Sequence, residues 1–214
     1  MKWINFFTDY NIPYYVYKLN KEDAIIINNC RKNKDTSIII LYGSIYITKI
    51  FKENTIIPLV ILNHNSIFHL KKKNIRTKFY YKITALEQSY IISFRLSHIN
   101  NRRKINRKIT LGIINSYQIT LNKYEVMNEI INQKYIKNKV VQLILLLCLD
   151  FGIINNTKVH IPFKISQKHL ATMIGNNTNN INRVIQYLYQ EKFLQYSNKK
   201  RICILNIFNN NFKY

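Results

Sequence analysis

The sequence predicts an α+β chain in three parts: an N-terminal antiparallel β-roll or barrel, a long helix with a pairing seam, and a C-terminal winged helix-turn-helix. Three observations predict it. Short β-branched and aromatic runs with close turns fill the chain up to Phe94. From Lys104 apolar residues recur at spacings of three and four. Residues 165–206 then hold two short helical patterns split at Gly175 and followed by a basic ribbon.

In order, Ile38 to Phe51 (IIILYGSIYITKIF) reads as two strands around a Gly43-Ser44 turn. Thr55 to Leu62 (TIIPLVIL) is a further strand, and Asn63-His64-Asn65 a turn. Lys78 to Phe94 gives two more strands around Leu86-Glu87-Gln88. Short strands with close turns suit an antiparallel roll or barrel. Ile114, Tyr117, Leu121, Tyr124, Asn128, Ile131 and Tyr135 then form an a/d seam of about three heptads, suited to a second copy, with Asn128 placed to fix register. The same pattern also suits one amphipathic helix packed on its own roll. Val140 to Leu149 is apolar nearly all round, which predicts a buried helix ended by Asp150-Phe151-Gly152. The boundaries follow: roll 1–107, pairing helix 108–136, C-terminal domain 137–214.

In that domain Ser166 is a good N-cap, since its hydroxyl accepts from an unpaired backbone N–H. Leu170, Met173 and Ile174 follow, and Gly175 breaks the helix where a left-handed residue is needed. Asn176 and Asn177 suit the turn, with Asn177 capping the next helix. Ile181, Val184, Ile185 and Leu188 make one buried stripe. The other face shows Thr178, Asn179, Asn182, Arg183 and Gln186, amides and one guanidinium that suit base edges in a major groove. An ordinary helical hairpin with a polar outside would share this pattern. The ribbon adds a second signal: Lys199, Lys200 and Arg201 lie at its tip, between FLQYS and ICILN, as a phosphate clamp would.

Charge agrees with double-stranded DNA as partner. The chain has 33 Lys+Arg against 10 Asp+Glu, net +23. From Phe151 onward Glu191 is the only acid beside nine bases. Such an excess attracts polyanions through counterion release. A hydrophobic content of 47% is ample for packed cores and argues against disorder. The longest apolar run is far short of the roughly twenty residues that cross a bilayer, so no membrane partner is expected. Cys30, Cys148 and Cys203 have no zinc or CxxC spacing and read as reduced thiols. The five histidines form no metal pair. No nucleophile elbow, P-loop or acid/base pair argues for an enzyme or a metal site. The wealth of Ile, Asn, Lys and Tyr fits an AT-rich genome. With no import signal visible, the expected home is the plastid stroma or the cytoplasm of an AT-rich bacterium.

The order of parts, with KVVQLILLLCLDFG (139–152), ISQKHLATMIG, NINRVIQYL and KKRICILN, resembles the CRP/FNR superfamily of dimeric transcription regulators. Within it the chain is most similar to the global nitrogen regulator (NtcA) branch and its red-algal plastid members. The resemblance implies a jelly-roll-like roll of the cyclic-nucleotide-binding type. It also implies a homodimer on a palindromic site with half-sites about 34 Å apart, and RNA polymerase as a partner. Ser166, Lys168 and Asn177 fall at family positions that hold phosphate. Arg183 is a retained family arginine, and Thr178 stands where the family has another. The stretch IFHLKKKNIRTKFYYKITAL lacks the glutamate and arginine of cyclic-nucleotide binders, so cyclic AMP is not expected. Nitrogen regulators hold 2-oxoglutarate with two arginines and a helix glutamate. Lys78, Thr120 and Glu125 stand at those places, the first as a point charge without the planar fork. Glu125 equally suits an exposed helix acid or a partner for Lys123 or Lys139. The alternative to a DNA regulator is a basic RNA- or ribosome-associated protein on the same scaffold, without an effector.

Overall fold

The computed structural model describes residues 2–28, 35–53, 55–69, 79–100, 107–155, 158–196 and 201–204. Two compact units emerge, Met1–Val126 and Met127–Tyr214, with their boundary inside the long helix.

The first unit begins with helix α1 (Lys2–Asp9) and strands β1 (Tyr14–Leu19) and β2 (Ala24–Asn28), which have no counterpart in the sequence prediction. The expected strands follow as β3 (Thr36–Tyr42), β4 (Ile45–Phe51), β5 (Ile56–Leu62), β6 (Ile67–His69), β7 (Phe79–Ala85) and β8 (Ser89–Arg95). Helices α2 (Leu96–Asn100) and α3 (Arg107–Ile131) complete the series. The strands make two four-stranded sheets, ordered β1-β8-β3-β6 and β2-β7-β4-β5, and every pairing is antiparallel.

Strand alternation explains why the first sheet is apolar on both faces. Ile38, Ile40 and Ile91 enter a core with Ile45, Ile47, Val60, Leu62 and Ile83 of the second sheet. Their neighbours Ile39 and Ile92 point the other way, into a cluster with Trp3, Phe6 and Phe7 of α1 and Ile113 of α3. Burying each such isoleucine contributes about 1.5–3 kcal/mol, so β3 and β8 are pinned from two sides. Trp3 adds a hydrogen bond from Nε1 to Asn65 Oδ1 at 3.3 Å. The β3–β4 turn needs Gly43, whose φ is 82° and whose Cβ, if present, would lie 2.8 Å from Ser89 Cα.

Helix α3 divides the predicted seam. Tyr117 and Tyr124 lean on the two cores of the roll. Ile114, Leu121 and Asn128 are exposed, and Ile131 is half-buried. The helix stops at Ile131, so Tyr135 lies beyond it and is instead the N-cap residue of α4.

The second unit holds α4 (Ile136–Phe151), β9 (Ile153–Asn155), β10 (Lys158–His160), α5 (Gln167–Ile174), α6 (Thr178–Gln190), β11 (Leu194–Tyr196) and β12 (Ile202–Ile204). Its sheet runs β11-β12-β10-β9. Helices α4, α5 and α6 pack mutually around Val140, Leu143, Ile144, Leu147, Leu170, Met173, Ile181, Ile185 and Leu188. The expectation that α4 is buried all round is corrected here. Two packing partners cover one face, and Leu145 and Leu149 are left exposed, Leu149 at 85%. Cys203 is buried and Cys148 half-buried, and burial pushes the Cys148 thiol up to about 11. Cys30 lies outside the described residues.

Candidate nucleic-acid interface

Local chemistry sets the two helices of the C-terminal unit. Ser166 Oγ accepts from His169 N at 3.1 Å and starts α5. Gly175 ends it in the left-handed region with φ 70°, its N–H returning to Ala171 and Thr172 carbonyls. Asn177 Oδ1 accepts from Asn180 N at 2.8 Å and starts α6. Asn176 braces the same turn, accepting from the Asn180 side chain at 3.0 Å. These are the caps that the sequence predicts.

Helix α6 buries Ile181, Ile185 and Leu188 and exposes Asn179, Arg183, Gln186, Tyr187 and Gln190. The exposed row spans roughly one third of the helix circumference at 100° per residue. Thr178 is half-buried at the start of that helix. Asn182, expected in the row, is also half-buried, and its Oδ1 is enclosed without a hydrogen-bond partner among the described residues. An inward carbonyl removes half of that amide's hydrogen-bonding capacity from the outer face. Ser166 and Lys168 are exposed at the start of α5.

After α6, Glu191 and Lys192 turn the chain, Lys192 with φ 56° and Phe193 N donating to Leu188 O at 3.0 Å. That turn aims β11 back along β12, with Gln195 opposite Cys203. Tyr196 hydrogen-bonds to the Gln167 side chain and so ties the ribbon to α5; burial raises its hydroxyl pKa. Arg201 immediately precedes β12 and is half-buried. Lys199 and Lys200 lie outside the described residues.

Sequence reasoning missed two neighbours of this face. Tyr187 follows Arg183 by four residues, so helical spacing alone puts it on the same ridge. Lys137 of α4 donates from Nζ to Tyr187 OH at 3.4 Å and sits 4.6 Å above its ring. No sequence signal links residues 50 positions apart.

The effector candidates sit apart from this face, in the first unit. Thr120 is buried; its Oγ1 accepts from Ile67 N at 2.9 Å while its hydroxyl donates to Ser116 O at 2.9 Å. Glu125 is exposed, five positions further along α3 and so about 140° round the helix. The helix of one chain therefore does not set Thr120 and Glu125 side by side. Lys78 lies outside the described residues. Where α3 meets the roll, Tyr124 packs beside Tyr81, and burial holds both hydroxyls neutral. No helix among the described residues is long and apolar enough to cross a membrane.

No family model matches the chain. It is 30% identical to the HTH-type transcriptional regulator ycf28 of Porphyra purpurea over 94% of this chain and 82% of that protein. The chain belongs to the CRP/FNR superfamily of transcription regulators. It is a regulator rather than an enzyme, as its relatives are. A global nitrogen regulator of Nostoc sp. PCC 7120 is 22% identical over 75% of this chain and 73% of its own length. Among solved structures, the CRP/FNR family regulator TTHA1359 of Thermus thermophilus shares the fold. Its TM-score is 0.66 at 16% identity, covering 90% of this chain and 94% of that one. The regulator CprK likewise matches at TM-score 0.66 and 19% identity, over 96% of this chain and 90% of its own. The two-sheet roll, the long helix and the winged helix-turn-helix are thus the CRP/FNR architecture.

Proposed function

We propose that this CRP/FNR regulator binds a palindromic duplex site as a homodimer and controls transcription from nearby promoters. The observation that carries the reading is the outer row of α6. Asn179, Arg183 and Gln186 are exposed on a helix whose opposite side is locked into the core by Ile181, Ile185 and Leu188. Arg183 is the principal base reader, worth about 1–3 kcal/mol if bidentate to guanine. Thr178 opens the helix without a guanidinium, which favours a site different from the family's. Exposed Ser166, Lys168 and the Asn177 turn favour phosphate contacts, and Arg201 with Lys199 and Lys200 favours a wing clamp. The bare apolar side of α3, with Leu111, Ile114, Leu121 and Asn128, favours pairing with a second copy. RNA polymerase is the natural further partner of a promoter-bound dimer.

Nitrogen responsiveness is favoured by the names of the cyanobacterial relatives. Within that reading, 2-oxoglutarate held by Lys78, Thr120 and Glu125 would use a degenerate pocket, since the Thr120 hydroxyl is already committed at both ends. A plastid home is favoured by the Porphyra purpurea relative. The deciding experiment is selection of bound duplexes from a random pool, with and without 2-oxoglutarate. The expected result is a palindromic consensus with half-sites one helical turn apart, lost on Arg183→Ala. A pool without consensus, bound weakly and with strong salt dependence, would sink this reading in favour of a general RNA or ribosome binder. A yield indifferent to 2-oxoglutarate would remove the effector alone.

A further inference from the structure

We propose that Lys137 and Tyr187 form a backbone-phosphate contact on α4, outside the helix-turn-helix, which widens the DNA footprint beyond α5, α6 and the wing. The proposal rests on the DNA-binding reading above.

The geometry begins on α6. Tyr187 lies one turn after Arg183 on the same exposed ridge and is itself 41% exposed. Its ring carries the Lys137 ammonium 4.6 Å from the centroid, and its hydroxyl accepts from Nζ at 3.4 Å. A lysine that would otherwise sample many rotamers is thereby held beside the ridge expected to enter the groove. An ammonium has three N–H donors. One is turned to the tyrosine, and two remain for phosphate oxygens.

The lysine does not serve its own helix. Lys137 lies in the first turn of α4, where the helix dipole disfavours a cation. That turn contains no acid, and the N-cap Tyr135 makes no side-chain cap. Among the described residues no carboxylate forms an ion pair with Lys137. An incoming phosphate would relieve the unfavourable placement, and Tyr187 acts as the positioning residue.

A phosphate contact carries no sequence information, so its signature is affinity and salt dependence rather than specificity. The full-length protein would be titrated by fluorescence anisotropy with the duplex selected above and with a scrambled duplex of equal length, over roughly 50–200 mM salt. Lys137→Ala is expected to lower the slope of log K against log salt by about 0.9 for each protomer bound. Affinity should fall about fivefold per protomer near 0.15 M salt, equally on both duplexes. Lys137→Arg should restore the slope. Tyr187→Leu should reproduce part of the loss, and Tyr187→Phe less of it, because the ring survives. Lys18→Ala, which removes another exposed charge from β1, controls for bulk electrostatics.

The proposal is overturned if Lys137→Ala matches wild type or Lys18→Ala in slope, or if it changes the ratio between the two duplexes. Wild-type protein that binds both duplexes alike would end the specific-regulator reading while leaving the Lys137 slope to be judged on its own. Failure to bind either duplex would end both.

Discussion

Thr120 stitches the long helix to the roll: its Oγ1 accepts the Ile67 N–H at 2.9 Å, and the same hydroxyl donates to Ser116 O at 2.9 Å. The residue is only 5% exposed, so water cannot replace either bond. Thr120→Val keeps the shape and orphans the Ile67 N–H, which costs about 1–3 kcal/mol. A shift of about 2–4 °C in Tm per kcal/mol is expected for a chain of this size. Thr120→Ser should retain most of the stability. Equal melting of the valine variant and wild type would show that the bond contributes nothing.

The roll should weaken in alkali. Burial raises the phenol pKa of Tyr124, Tyr81, Tyr46 and Tyr117 above the ordinary value of 10.0. The folded state favours the neutral phenol, so these groups ionise first in the unfolded chain. Their stabilising effect is complete below pH 10 and is lost as pH rises from there through the folded values. Denaturant midpoints measured against pH should be flat on the acid side of 10 and then fall. Tyr124→Phe should flatten part of that fall, which separates the phenol from the lysines that titrate nearby. An unchanged alkaline profile in that variant would exclude Tyr124 as a contributor.

The two caps of the helix-turn-helix should be separately measurable. Ser166→Ala and Asn177→Ala each remove an acceptor from a first-turn N–H and should cost about 0.5–2 kcal/mol. Asn177→Gly should cost only a few tenths of a kcal/mol, since glycine adopts the cap conformation and leaves the N–H to water. Urea denaturation followed by helical circular dichroism would rank the three. A glycine variant as unstable as the alanine one would mean that the side-chain bond, and not the backbone geometry, sets the helix start.

Where local chemistry decides structure, the sequence was readable. Ser166, Gly175 and Asn177 each fix a backbone geometry within three or four residues, and all three occupy the predicted role. The Gly43-Ser44 turn is legible for the same reason. Strands β1 and β2 were not, because β1 is an edge strand with Tyr15, Val16 and Tyr17 all exposed, so it has no alternation to read. Periodicity placed Tyr117 and Tyr124 beside Ile114 and Leu121 on one seam. Spacing alone cannot say which flank of α3 faces the roll, and the cores claimed the two tyrosines. Lys137 was invisible for a different reason: its partner is on another helix, and only the packed unit brings them together.

The apolar side of α3 carries the last prediction. Leu121 is 65% exposed and Ile114 53%, so neither supports the fold of a single chain. Leu121→Glu should therefore leave the melting of an isolated protomer within about 0.5 kcal/mol of wild type. In a pairing seam the same change buries two like charges against each other, which costs far more than it does at a surface. Sedimentation at micromolar concentration should show a dimer for wild type and a monomer for Leu121→Glu, with loss of binding to a two-half-site duplex. Asn115→Glu introduces the same charge at an exposed position about 120° round the helix and should stay dimeric. A dimer that survives Leu121→Glu and falls apart with Asn115→Glu would move the pairing surface to the Asn115, Ile119 and Val126 flank, where two further exposed apolar side chains stand ready.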